Sequence, residues 1–400
     1  MNLSDKIVFI TNIKARAFYV AILILIAGVS LTTYFVIARQ KTQVTPESAT
    51  NSPAAEGLEP ASFTIDSNFT AHVFASDLGK PRVLTFSPGG TLLTSNPSGD
   101  NVYALPDKDG NGVADQAKII IKGEGNVHGL AFYQGQLYIA DVDKVVRYIW
   151  DESGLTATRD KVLFELPKNS NHNNRSIVFN DSGKMFISIG STCNVCRESP
   201  ESGGSVWQSD FSGASPQVFA MGLRNAAFLA INPVTYELWA TEMGRDFLGD
   251  DLPPDEINIV RQGENYGWPY CYGKGVHDEN FDPANSSTCN NTTSPVYEIP
   301  AHSAPLGIVF INSPQFPESW QGDLLVSYHG SWNRSVPTGY KVVHLNVSGN
   351  SITDSSDFIT NISPAGRPVG LTFDNLGNLF LSDDKGGKIY MIEAKSRQMP

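Results

Sequence analysis

RPVGLTFDNLGNLFLSDD, residues 367–384, opens on a charged residue, runs through apolar positions to a Phe, turns on Asp, Asn and Gly, and resumes as an alternating apolar strand. Strand, tight turn, strand is a β-hairpin. The same phrase recurs as PRVLTFSPGGTLLTS at 81–95, VHGLAFYQGQLYIAD at 127–141 and NRSIVFNDSGKMFISIG at 174–190. It returns in RNAAFLAINPVTYELWATEMG at 224–244 and APLGIVFINSPQFPESWQGDLLVSYHG at 304–330, which makes six copies. More β pattern follows several of them, as in KVVRYIW at 144–150 and GKIYMIEA at 387–394. A repeat of about 57 residues has room for four short strands, the content of a propeller blade. The expected fold is therefore all-β, a six-bladed β-propeller. No long amphipathic helix pattern is present, which argues against a βαβ sheet, and a β-sandwich would not explain six similar units. The segment FTAHVFAS, 69–76, is expected to pair into the last blade and close the ring, leaving few open edges.

Composition agrees. Of 400 residues, 41% are hydrophobic and 18% charged, enough for a large core, and Gly 35 with Pro 24 makes the chain turn-rich. The net charge of −12 speaks against wrapping nucleic acid, which needs Lys and Arg against phosphates.

Ahead of the repeats, residues 18–38 (FYVAILILIAGVSLTTYFVIA) form 21 positions without a charge. About 20 apolar residues cross a bilayer, so this stretch reads as a transmembrane helix. Lys6, Lys14 and Arg16 before it favour a cytoplasmic tail over 1–17. A cleaved signal peptide is the competing reading, and both export the main domain. Residues 39–61, rich in Pro, Ser, Thr and Ala, read as a linker, and 62–396 as the propeller. Cys193, Cys196, Cys271 and Cys289 are the cysteines, an even number that suits an oxidising compartment. Local pairs, Cys193–Cys196 and Cys271–Cys289, are the expected bridges. Haem attachment is excluded, because Arg197 follows Cys196 where a C-x-x-C-H motif needs His.

In a propeller the polar residues opening the inner strands line the mouth of the axial channel. Here these are His128, His172, Arg175, Arg224, Asn225, His302, His329 and Arg367. Several cations converging in an acidic protein point to an anionic ligand on the axis. Two acidic segments hold oxygen ligands of the kind Ca²⁺ takes. One is the 241–273 stretch with Glu242, Asp246, Asp250, Asp251, Asp255 and Glu256; the other is DKDGNGVAD at 107–115, which lacks the closing Glu of a calcium loop. A bound ion and a solvated acidic loop both stay open for each.

Four runs carry a further signal: HNNRSIVFNDSGKMFISIGS, GLRNAAFLAINPVTYELWATEMGRD, DEINIVRQGENYGWPYCYG and HGSWNRSVPTGYKVV. In order, they resemble the PQQ-dependent sugar dehydrogenases, in particular the branch of sorbosone-dehydrogenase-like proteins related to soluble glucose dehydrogenase, over about residues 61–393. The resemblance implies pyrroloquinoline quinone on the axis beside Ca²⁺. It implies that His172 is the general base and that Arg224, Asn225 and Arg367 contact the quinone. It places the Ca²⁺ on the backbone carbonyls of Gly244 and Arg245, where the glucose dehydrogenases have a Pro in place of Arg245. His329 stands where those enzymes carry a quinone-binding Lys, and His128 lies on the cofactor side.

The expected function is oxidation of an aldose or sugar-derived aldehyde to lactone or acid. A His base takes the hydroxyl proton while hydride passes to the quinone, and the electrons go to an external acceptor, a quinone or cytochrome. The expected location is the cell membrane, anchored by one helix, with the catalytic domain outside. The competing readings are a metal-dependent propeller lactonase and a non-catalytic propeller that binds glycans or proteins.

Overall fold

A computed structural model describes residues 58–168, 171–198 and 203–395. The expected anchor and the segments before it, with the linker up to residue 57, lie outside the described residues. Among the described residues no helix is long and apolar enough to cross a membrane.

The repeats fold as six antiparallel sheets. The first blade holds Leu84–Phe86, Leu92–Asn96, Asn101–Leu105 and Lys118–Lys122, and the second holds Gly129–Tyr133, Gln136–Ala140, Lys144–Asp151 and Thr156–Glu165. The third runs from Ile177–Phe179 through Lys184–Ile189 and Ser205–Asp210 to Gln217–Met221. In the fourth, Ala226–Ile231, Leu238–Glu242 and Asp255–Val260 precede a long insertion before the outer strand Tyr297–Ile299. Pro305–Phe310, Leu324–Tyr328, Lys341–Ser348 and Ser351–Thr360 make the fifth, extended by Thr64–Ile65. The sixth is Pro368–Phe373, Leu379–Asp383 and Lys388–Ala394, and its outer strand is Phe69–Ala75 from the other end of the domain. That strand pairs antiparallel with the last one, Phe69 opposite Ala394, so the expected closure is the one observed. The chain joins this blade slightly earlier than expected: Val73 N–H donates to Glu59 O at 2.8 Å, at the end of the expected linker.

The innermost strands contact one another in a closed ring. They can approach because glycines recur there. A Cβ on Gly307 would stand 2.2 Å from Val369 O, and one on Gly370 would stand 2.2 Å from Arg82 O, far inside contact distance. Hydroxyls of the second strands then bond across to the next blade. Thr241 Oγ1 donates to Leu306 O at 2.8 Å, Ser327 Oγ to Val369 O at 2.5 Å and Ser382 Oγ to Arg82 O at 2.7 Å. The apolar faces fill the wedges between blades. Trp239, fully buried, meets Phe310 edge to face at 5.5 Å between the fourth and fifth, and Phe69, Phe316 and Phe358 cluster between the fifth and sixth. Each such side chain contributes about 1.5–3 kcal/mol through burial.

Both expected disulfides are present, Cys193–Cys196 and Cys271–Cys289. The second closes the fourth-blade insertion. The 107–115 loop is a tight turn in which Asp107 accepts the backbone N–H groups of Asn111 at 3.1 Å and Gly112 at 3.0 Å.

Candidate active site

One solvent-open cleft at the axial end of the blades, of about 120 Å³, is lined by His172, Arg224, Gly244, His302, Trp332 and Asn333, among others. A larger groove of about 990 Å³, around Phe69 and Gln315 at the outer edge of the fifth and sixth blades, has none of the expected site residues.

His172 sits in an irregular segment before the third blade. Its Nδ1 is 2.8 Å from Ser191 Oγ and 3.2 Å from Ser191 O. Gly190 makes room for it: a Cβ there would lie 2.4 Å from His172 Cβ and 3.1 Å from Asn225 Oδ1. Burial, reinforced by the Arg224 charge, pushes His172 down to about 3, so the ring is neutral at physiological pH.

Arg224 opens the fourth blade and is nearly fully buried. Its Nη1 donates to Gly244 O at 2.9 Å and to Met243 O at 3.3 Å. Its Nε donates to Asn194 O at 2.9 Å, and Nη2 reaches Asn194 Oδ1 at 2.9 Å and Asp246 Oδ2 at 3.2 Å. Burial lowers its pKa, with no consequence for its charge. Asn225 faces the same strand pair: its backbone N–H donates to both Glu242 oxygens, at 3.0 and 3.2 Å, and its Nδ2 to Met243 Sδ at 3.4 Å. The Arg245 side chain is ion-paired, its Nε 2.6 Å from Asp278 Oδ2, and Arg245 is not on the wall of this cleft: with Asp278 it lines a neighbouring pocket that Arg224 and Gly244 share.

His329, Arg367 and His128 form an adjoining network that is not on the wall of this cleft. It is one hydrogen bond away, because His329 N–H donates at 3.0 Å to the carbonyl of Ala304, a cleft residue. His329 Nε2 is 2.9 Å from Asp384 Oδ1, and Asp384 Oδ2 accepts Arg82 Nη1 at 2.5 Å. Burial pushes Asp384 up, but the His329 hydrogen bond and the charges of His329, Arg82 and Arg367 outweigh it and hold the carboxyl below its ordinary range. Arg367 Nε donates to His329 O at 3.0 Å, Nη2 donates to Gly330 O, and the guanidinium lies over the Tyr340 ring at 5.5 Å. Among the described residues, no carboxylate lies within ion-pair distance of Arg367. His128 is fully buried and uses both ring nitrogens, Nδ1 toward Arg175 O at 2.6 Å and Nε2 as acceptor from Arg82 Nε at 3.2 Å. It supports Arg82 from behind. Burial, then the Arg82 charge, brings it down to about 3.

Arg175 is fully buried in a cage of carbonyls, those of His172, Asn174, Val142 and Pro167 at 2.9–3.3 Å, and it joins the two networks by holding the His172 segment. The acidic 241–273 stretch divides. Glu242, Asp255 and Glu256 are buried, while Asp250 and Asp251 bond Ser335 and Arg334 at the rim. Sequence reasoning missed Arg82, Asp384 and Asn194. Arg82 stands inside the first copy of the repeat and Asn194 inside the C-N-V-C motif, but their partners come from other segments.

The donor set fits an anion beside a cation. Among the described residues Arg367 has no carboxylate partner within ion-pair distance, and the Met243 and Gly244 carbonyls already hold a cation, the Arg224 guanidinium.

A family model described as TrAA12-like matches residues 63–395. An uncharacterized protein of Borreliella burgdorferi is 29% identical over 361 residues, covering 85% of this chain and 92% of its own. A pyrroloquinoline quinone-dependent sugar dehydrogenase of Hypocrea jecorina is 27% identical over 385 residues, covering 80% of this chain and 87% of its own. Among solved structures, the calcium structure of the Trichoderma reesei Carbohydrate-Active Enzymes Family AA12 protein superposes with a TM-score of 0.73 at 24% identity, covering 85% of this chain and 98% of that one. The holo PQQ domain of Coprinopsis cinerea pyranose dehydrogenase gives 0.71 at 22% identity, covering 84% and 99%. These likenesses establish the propeller fold.

Proposed function

The chain belongs to the TrAA12-like family, and from that premise we propose that it is a PQQ- and Ca²⁺-dependent dehydrogenase. It oxidises an aldose or sugar-derived aldehyde to the lactone or acid. The observation that carries this reading is the pairing of a neutral histidine with a buried arginine seated on backbone carbonyls, in one cleft of a six-bladed propeller.

PQQ, when bound, accepts the hydride, and Ca²⁺ polarises its carbonyl as a Lewis acid. The protein does the rest. Arg224, on the cleft wall, and Asn225 beside it would hold the anionic cofactor by charge-assisted hydrogen bonds, and Arg367, in the adjoining network, would do so where the cofactor reaches past that wall. Arg82 backs them, with His128 and His329 fixing the cationic wall. The carbonyls of Gly244 and Arg245 would hold Ca²⁺, and the Gly244 carbonyl is the one that now accepts Arg224 Nη1 at 2.9 Å. His172, neutral and in the cleft, accepts the proton of the reacting hydroxyl. Trp332, 70% exposed at the mouth, offers an apolar face to a sugar ring.

The uncharged stretch at 18–38 supports a single anchor, with 1–17 inside, 39–61 as spacer and the propeller outside. The two disulfides agree with that oxidising side. Electrons then leave to an external quinone or cytochrome.

Dye reduction by the full chain, reconstituted with PQQ and Ca²⁺ and supplied with a panel of aldoses and aldehydes, tests the assignment. Reduction with at least one sugar is expected. Tight PQQ uptake without reduction on any substrate would instead favour the non-catalytic propeller.

A further inference from the structure

We propose that the ring closed by Cys193–Cys196 is a positioning device for the site: through Ser191 it fixes which nitrogen of His172 carries the proton, and through Asn194 it seats Arg224. The inference rests on the assignment of His172 as base.

Two chains of hydrogen bonds leave this ring. In the first, Ser191 Oγ donates to Cys193 O at 2.6 Å. A hydroxyl has one proton. With that proton given to the Cys193 carbonyl, Ser191 Oγ meets His172 Nδ1 at 2.8 Å as an acceptor. Ser191 O, also an acceptor, stands 3.2 Å from the same nitrogen. Asn171 Nδ2, a donor, is 3.5 Å from this nitrogen, but the two Ser191 acceptors are nearer and both call for Nδ1–H. In the neutral imidazole the lone pair is then on Nε2, which makes Nε2 the basic atom.

In the second chain, Asn194 uses three polar atoms. Its O accepts Arg224 Nε at 2.9 Å, its Oδ1 accepts Arg224 Nη2 and Asp246 N–H at 2.9 Å each, and its Nδ2 donates to Asp246 O at 3.2 Å. The guanidinium and the loop after Gly244 are thus aligned by one residue. His172 and the 193–196 segment both lie in irregular backbone, so no sheet ladder holds them. The disulfide, spanning three positions, restricts the ring that does. Ser191 and Asn194 are positioning residues: each acts through a neighbour.

The test uses the full chain labelled with ¹⁵N-histidine and free of PQQ, with the His172 signal identified by its absence in His172→Gln. Wild type is expected to show the Nδ1–H tautomer. Ser191→Ala leaves only the longer contact to the backbone oxygen at 191, so the Nδ1–H fraction should fall, and Ser191→Thr should restore it. With PQQ and Ca²⁺ added, kcat of Ser191→Ala should fall about tenfold or more while PQQ affinity, read from protein fluorescence quenching, holds. Asn194→Ala should weaken PQQ affinity, and Cys193→Ser/Cys196→Ser should show both effects. A Ser191→Ala protein with the same Nδ1–H fraction as wild type overturns the proposal, as does a Ser191→Thr protein that behaves like Ser191→Ala. The tautomer is read without cofactor or substrate. It therefore stands or falls separately from the sugar-oxidation assignment, which the dye assay of wild type decides.

Discussion

Arg224 Nη1 donates to the carbonyl oxygen of Gly244 at 2.9 Å. That carbonyl is the expected Ca²⁺ ligand, so one buried cation stands where another is expected. With Ca²⁺ on that carbonyl, the ion and Arg224 would compete for Gly244, and an anionic cofactor held by Arg224 would ease the competition. Binding of Ca²⁺ and PQQ is expected to be mutually reinforcing.

Arg224→Ala separates the two halves of this relationship. PQQ affinity should fall about tenfold to a hundredfold, the worth of a charge-assisted hydrogen bond. Ca²⁺ affinity of the PQQ-free protein, measured by calorimetry, should rise above wild type. A parallel fall in both would show that Arg224 shapes the loop without competing for it.

His172→Ala should leave PQQ bound, because His172 acts on the substrate proton. Turnover should drop by about 10²–10⁴, the usual contribution of a positioned base. Steady-state dye reduction checks turnover, and quinone absorbance after gel filtration checks the cofactor.

Gly190→Ala puts a methyl group 2.4 Å from His172 Cβ and 2.6 Å from its carbonyl oxygen. The histidine must move. The expected cost is about 1–3 kcal/mol of stability from overpacking, read by thermal denaturation. The fall in kcat should be larger than that stability loss accounts for.

How much of this was legible in the sequence follows from where each signal lies. The six blades were readable because one hairpin phrase recurs, and the closure was readable because Phe69–Ala75 is a strand-like segment ahead of the first copy that pairs into the last blade. The disulfides were readable from local spacing. His172 and Arg224 were readable as strand-opening polar residues, and the structure brings them to one cleft. Arg175 fits the same pattern, yet it serves four carbonyls inside the protein. The difference is set by the loops around it, which carry no periodicity. Asp384 and Asn194 escaped notice because each gains its meaning only across blades or loops, from His329 and Arg82 in one case and from Arg224 in the other.

Glu242 and Glu256 lie directly opposite on neighbouring strands of the fourth blade. Burial, helped by the neighbouring Glu298 and Asp255 carboxylates, raises Glu256 to about 7. A carboxyl whose folded pKa is raised contributes stability that is fully present below its unfolded value and is lost as pH rises through the folded one. Stability should therefore decline between about pH 5 and about pH 7 on account of this group, by roughly 1.4 kcal/mol for each pH step of one, and level off above. Glu256→Gln removes that dependence. Its melting temperature relative to wild type should climb across the same range, and a constant difference would show that Glu256 is ionised throughout.

The most direct check is an equilibrium titration of the full chain with PQQ, with and without Ca²⁺, followed by quinone absorbance. The account predicts saturation at one PQQ per chain, tighter with Ca²⁺, and a marked loss of affinity in both Arg224→Ala and Arg367→Ala. No uptake by wild type, or uptake indifferent to Ca²⁺ and to both arginines, would contradict it.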